Sequence, residues 1–140
     1  MEDLVRQCLG FRVGAAFRSI DRYFNRLYLP LGLSHAHGQA LACLIQEKEL
    51  RIGAIAERTG LEASTVSRLV KELGRRRLVR RRTDPEDARA QIVSLATRGE
   101  ALREAVAAVI AKANARLRRD LPEEDRLGLE RACEIMARLR

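Results

Sequence analysis

Aromatic residues are scarce: the chain has no tryptophan, and phenylalanine and tyrosine make up 4% of its residues. With 46% hydrophobic and 33% charged residues, that scarcity describes a helix-rich soluble protein. Cysteine occurs three times, as Cys8, Cys43 and Cys133, without Cys-x-x-Cys or Cys/His metal spacing. No structural disulfide and no metal centre is expected from that pattern. There is no glycine-rich phosphate loop, no nucleophile elbow, and no histidine with an acid or nucleophile partner in its sequence context, so neither an enzyme nor a bound cofactor is expected. Long apolar runs are missing as well. Leu27 to Gln46 lacks acidic and basic residues but contains Pro30, Gly32, Ser34, two histidines and Gly38, which excludes a membrane span. Met1-Glu2-Asp3 is acidic where a secretory signal is basic, which makes the cytoplasm the expected location.

What the chain has is positive charge, unevenly placed. Its formal net charge is +8 over 140 residues, a length typical of one domain. Between Arg68 and Arg89 nine basic residues face four acidic ones. A polyanionic partner follows, and phosphate is the first candidate. The other common polyanion is membrane lipid, but this cluster lies on a patterned motif rather than in a polybasic tail.

That motif runs from Arg51 to Gly99. A helix carrying Ile52, Ile55 and Ala56 leads into the turn Thr59-Gly60-Leu61, where glycine permits a sharp reversal. A second helix begins near Ala63 and places Val66, Leu69, Val70 and Leu73 on one stripe. Ser64, Arg68, Lys71 and Arg75 cluster roughly opposite. Two short strand-like runs follow, Leu78 to Arg82 and Gln91 to Leu95, flanking the turn Thr83-Asp84-Pro85-Glu86-Asp87. Two helices and a basic hairpin in this order make a winged helix-turn-helix.

In such a unit the second helix lies in the DNA major groove with its N-terminal residues nearest the bases. Ser64, Thr65, Ser67 and Arg68 are therefore the candidate readers, and Arg68 can form a bidentate contact to guanine. Lys71, Arg75 and Arg82 are candidate phosphate contacts. Arg89, beside Asp87 on the hairpin tip, has the chemistry to enter a narrow minor groove. The competing readings are a solvated helix face and a surface ion pair of little worth.

These residues resemble the MarR family of bacterial transcriptional regulators. The resemblance extends over nearly the whole chain and rests on Ala56 to Gly60, on Ser64-Thr65-Val66-Ser67-Arg68-Leu69-Val70, and on Asp84-Pro85-Glu86-Asp87-Ala88-Arg89 followed by Leu95 and Gly99. It implies a recognition helix and wing on operator DNA, a dimer formed by helices from both chain ends, and DNA affinity altered by a small ligand or an oxidised cysteine. Three positions depart from the family pattern. Arg77 stands where a glycine usually follows the recognition helix, so that helix is expected to end earlier or differently. Leu95-Ala96-Thr97 replaces the usual Leu-Thr, with Thr97 as a shifted N-cap. Glu62 takes a place where a Ser or Asp cap is commoner, with a charge that suits a helix N-terminus.

The chain ends carry apolar stripes. Leu9, Val13, Phe17, Ile20, Phe24 and Leu27 recur at helical spacing, as do Leu102, Val106, Val109, Ala113 and Leu117. A last helix starting near Pro122 carries Leu129, Ala132, Met136 and Leu139. The winged unit is too small to cover all of them, so a homodimer is expected, against a monomeric helical core as the alternative. The expected fold is mainly α with a small β component: one domain over 1–140, dimerisation helices at 1–30 and 98–140, and a winged lobe at 34–97. A twofold dimer reads an imperfect palindrome in double-stranded DNA with recognition helices about 34 Å apart.

The resemblance places an effector pocket near Phe11, Ala15, Arg18, His37 and Leu41, with Arg18 able to pair with a small aromatic carboxylate or phenolate. His35 and His37, two apart on a helix that Ser34 can cap, point to different faces and make poor joint metal ligands. Cys43 and Cys133 sit among apolar neighbours and are expected to pack. Cys8 lies near the reactive cysteine of the family's hydroperoxide sensors, about two residues too early and without their tyrosines. The expectation is a repressor released by a small molecule. The alternatives are a cysteine-based redox-sensing repressor and a sequence-independent architectural DNA binder, with a winged helix used only for protein contacts as a third.

Overall fold

Helix starts and stops in the computed structural model, which describes residues 3–139, follow local chemistry closely. Met1, Glu2 and Arg140, the first two of which belong to the acidic start, lie outside the described residues. Asp3 caps a short helix α1 (Leu4–Gln7) by accepting the Val5 and Arg6 N–H groups at 3.2 Å. Cys8, in an extended conformation, separates α1 from the long α2 (Leu9–Tyr28). A 3-10 turn at Leu29–Leu31 and a left-handed Gly32 then redirect the chain. Ser34 caps α3 (His35–Glu47) in a reciprocal capping box with His37.

Strand β1 (Glu49–Arg51) follows, then α4 (Ile52–Thr59) and α5 (Ala63–Arg75). Gly60 ends α4 at φ 72°. Glu62 occupies the N-cap of α5 without any side-chain cap hydrogen bond. Strands β2 (Val79–Thr83) and β3 (Gln91–Leu95) form the wing, and α6 (Thr97–Glu100), α7 (Arg103–Asp120) and α8 (Glu123–Met136) complete the chain. The fold is mainly helical with a small antiparallel sheet, as the sequence predicts.

Three local expectations need correction. The sheet has three strands in the order β1-β3-β2, because Glu49, Leu50 and Arg51 pair with Ser94, Val93 and Ile92. Three residues are too short to show a period, so only the long-range partner reveals β1. Thr97 is not a cap: Ala96 holds the N-cap of α6 without a side-chain bond, and its own N–H donates to Leu78 O at 2.9 Å. The recognition helix does not end differently either. Arg77 adopts the left-handed conformation itself, at φ 59°, and Leu78 N–H reaches Leu73 O while Arg77 N–H reaches Gly74 O, each at 2.9 Å. That is a Schellman motif without its glycine, closed by buried Leu78 over buried Leu73.

The core lies between α3, α5, α7 and the inner face of the sheet. Leu41, Leu44, Ile55, Val66, Val70, Leu73, Val93 and Val106 are all essentially inaccessible. Val66, Leu69, Val70 and Leu73 of α5 point inward as their spacing requires, which turns the opposite face of the helix to solvent. The terminal stripes divide. On α7, Val106 and Ala113 are buried within the chain. Most of the first half of α2 and most of α8 stay uncovered, with Leu9, Phe11, Val13, Phe17, Leu127, Leu129 and Ile135 exposed, while Ala132 and Met136 of α8 are half-buried. Cys133, expected to pack, is exposed on α8 for the same reason, and Cys8 is exposed too. Cys43 is half-buried, and burial raises its thiol pKa.

Candidate nucleic-acid interface

The outward face of α5 presents Ser64, Arg68, Lys71 and Arg75 to solvent, with Thr65 and Ser67 half-buried on its flanks. No N-cap side chain occupies the first turn, so its N–H groups face outward with the small hydroxyls of Ser64 and Thr65 beside them. Among the described residues neither Arg68 nor Arg75 forms an ion pair, and both guanidiniums remain available to a ligand.

Two grooves run along the seam between α5 and the wing. One, of about 600 Å³, is lined by Lys71 and Ser67 on the helix side and by Arg81 and Gln91 on the sheet side. The other, of about 520 Å³, is lined by Ser67, Glu57, Arg51, Arg89 and Gln91. Ser67 and Gln91 line both, so the helix and the wing present one continuous surface. Sequence reading missed Arg51, Arg81 and Gln91. Arg51 and Gln91 join the site only when β1 and β3 come together, which leaves no local signal to find them by.

The wing tip is organised by Asp84, 5% exposed. Its N–H donates to Ala90 O at 2.9 Å, closing the loop, and its carboxylate accepts Glu86 N–H at 2.9 Å. The Arg51 guanidinium pairs with the same carboxylate from β1. These contacts, the Glu86 N–H foremost and then Arg51 and Arg82, hold the Asp84 carboxyl below the ordinary aspartate range. Asp87, beside Arg89, makes no ion pair with the Arg89 guanidinium among the described residues. Its carboxylate accepts the Arg89 backbone N–H at 3.0 Å and so shapes the turn. Arg82 is less free than expected, since it bridges to Glu49 at 3.2 Å across the sheet.

The five residues named for an effector pocket have different surroundings in the single chain. Leu41 is in the core, His37 is bonded to Ser34 and Glu72, and Phe11, Ala15 and Arg18 lie on the exposed face of α2. The two histidines do face apart. His35 stacks on Phe24 at 4.3 Å and bonds Asp21 of α2 at 2.8 Å, whereas His37 turns to α5. A cavity of about 290 Å³ does open between α2 and α7, lined by Ser19, Ile20, Tyr23, Arg26, Arg116, Leu117 and Asp120.

Residues 31–90, from the turn before α3 to the end of the wing loop, match the sequence model described as the MarR family. The lobe is a MarR-family winged helix. No curated protein matches the chain. Among solved structures, a mutant MarR from E. coli complexed with operator DNA superposes with a TM-score of 0.82 at 20% identity, over 96% of this chain and 99% of that one. A MarR-family transcriptional regulator from Rhodococcus sp. RHA1 gives 0.81 at 23% identity, over 99% and 97%. NadR in complex with 4-hydroxyphenylacetate gives 0.76 at 16%, over 95% and 94%. The chain spans nearly the full length of each. The MarR-family lobe thus sits between terminal helices that share their path with these neighbours, and no helix of the described residues is long and apolar enough to cross a membrane.

Proposed function

We propose that this protein is a homodimeric repressor that binds an imperfect palindrome in double-stranded DNA and is released by a small aromatic or phenolic effector. The coarser part of that reading, a DNA-binding regulator of transcription, is supported by the match of residues 31–90 to the MarR-family model. The observation that carries the rest is the continuous basic seam, in which exposed Arg68 and Arg75 on α5 flank grooves holding Lys71, Arg81 and Arg89. On this reading Ser64, Thr65, Ser67 and Arg68 face the bases, Lys71 and Arg75 face phosphates, and Arg89 follows the minor groove.

The dimer is supported by the apolar side chains of α2 and α8, which come from the two ends of the chain and stay exposed among the described residues. The effector reading has two supports. NadR, which shares the fold, binds 4-hydroxyphenylacetate. Here the α2–α7 cavity sets an apolar floor, Ile20 and Leu117, beside the Tyr23 ring, with the Arg26 and Arg116 guanidiniums 5.8 and 5.9 Å from its centroid. A ligand wedged there alters the angle between terminal helices and lobes, so that two recognition helices no longer fit successive grooves. Release requires tighter ligand binding to that non-DNA geometry.

The test is fluorescence anisotropy on a duplex from upstream of the protein's own gene and on a scrambled duplex, across a salt series. A repressor binds the first at least about a thousandfold more tightly. Equal, steeply salt-dependent binding to both would instead identify an architectural DNA binder. Adding 4-hydroxyphenylacetate to the specific complex then tests release.

A further inference from the structure

One side chain ties the recognition helix to the start of α3. His37 occupies the third position of α3, and its imidazole lies between that helix and α5. Nδ1 lies 3.1 Å from Ser34 N and 3.0 Å from Ser34 Oγ, and Nε2 lies 2.8 Å from Glu72 Oε2. A carboxylate only accepts, so Nε2 carries the hydrogen. A backbone N–H only donates, so Nδ1 carries none. A single neutral tautomer satisfies both partners. Glutamate at this capping-box position would close the box but has no hydrogen to donate; histidine closes it with one nitrogen and leaves the other, as a donor, for α5.

Glu72 is an anion on a helix that faces a polyanion. It lies four residues after Arg68 and three before Arg75, within reach of both guanidiniums along the helix. Its carboxyl is held below the ordinary glutamate range, by the His37 hydrogen bond first and by Arg68 and Arg75 among the lesser causes, so it stays ionised at neutral pH. Released, that carboxylate would fold onto Arg68 or Arg75 and compete with DNA for it. In the structure it turns to His37 instead, and both arginines stand unpaired among the described residues.

We propose that His37 is a positioning residue of the DNA-reading surface: as the Nε2–H tautomer it holds the Glu72 carboxylate toward α3, keeps it off Arg68 and Arg75, and fixes α5 against α3. This rests on the DNA-binding reading above. The role belongs to the histidine–glutamate pair, because α3 and α5 also pack through apolar contacts that survive its loss.

The experiment uses a duplex that the wild-type protein selects from a random-sequence pool. His37→Leu should weaken binding to it about tenfold, roughly the worth of one charge-assisted hydrogen bond. His37→Gln, whose amide offers the same acceptor and donor, should stay within about threefold of wild type by the same scale. Glu72→Gln in the His37→Leu background should restore most of the affinity, since the stray charge is gone. A merely structural histidine predicts no such rescue, and thermal melts of all four proteins separate unfolding from lost contact. Unchanged affinity in His37→Leu, or loss that Glu72→Gln leaves unrepaired, overturns the proposal. Nitrogen NMR of His37 provides a check without DNA: protonated Nε2 with bare Nδ1 supports the tether, and the opposite tautomer overturns it. A pool that yields no enriched duplex defeats the DNA reading and the positioning role with it, while the tautomer stands or falls by NMR alone.

Discussion

Two backbone positions show how single residues hold the recognition helix and the wing together. Gly99 lies directly under Leu78, where a Cβ would come 2.0 Å from the Leu78 carbonyl oxygen. That oxygen also accepts the Ala96 N–H, so it cannot move without opening the joint between wing and α6. Gly99→Ala should cost about 3 kcal/mol, read as a lower urea midpoint. Arg77 carries the opposite liability, because a residue with a Cβ sits in the left-handed region at the end of α5. Arg77→Gly relieves about 1–2 kcal/mol of strain and returns part of it as unfolded-chain entropy. A net gain of about 0.5–1 kcal/mol, seen as a rise of a few degrees in Tm, is the expected result. At the reading surface, Arg68→Ala should cost about 1–3 kcal/mol on the specific duplex and relax base preference, whereas Arg75→Ala should weaken all duplexes alike. Equal losses on specific and random DNA for Arg68→Ala would count against its reading role.

Among the elements, the wing depends on a single carboxylate. Asp84 has a folded-state pKa below its ordinary value. Its contribution to wing order is therefore complete above the unfolded value, about pH 4, and is lost as pH falls through the lower folded value. Amide-exchange protection at Asp84 and Ala90 should disappear in that acid window while the α3 and α5 amides stay protected. Asp84→Asn keeps an acceptor for Glu86 N–H but loses the charge that Arg51 pairs with, so it should loosen the wing at neutral pH. Helix α6 offers a simpler check. Ala96 has the extended conformation of an N-cap without an oxygen to use, and Ala96→Ser should add about 0.5–1 kcal/mol to stability by denaturant titration.

For the whole molecule, the unfinished surfaces matter most. Phe17 is 54% exposed on α2 and Ile135 57% exposed on α8, in a chain whose lobe core is otherwise fully covered. A twofold partner that buries both stripes also sets the distance between the two recognition helices. Phe17→Glu and Ile135→Glu together should give a monomer by sedimentation, with affinity for the specific duplex falling toward the level of random DNA. A dimer that persists, or a monomer that still binds the palindrome tightly, would separate dimerisation from these stripes.

Residue order alone determined the longer helices, the turn at Gly60, the wing strands and the outward basic face of α5, because each depends on spacing or on one residue's backbone preference. The α5 stripe of Val66, Leu69, Val70 and Leu73 could bury only one side of the helix, which left Arg68 and Arg75 on the other. Contacts between segments far apart in sequence leave no such local mark. The pairing of β1 with β3, the Arg51–Asp84 and Arg82–Glu49 bridges, the His37–Glu72 tether and the Leu78–Gly99 contact were decided by tertiary structure. So was the division of the terminal stripes, for periodicity marks a face as apolar without saying which neighbour covers it. Helix α7 buries Val106 and Ala113 within the chain, and α8 fully buries none of its residues.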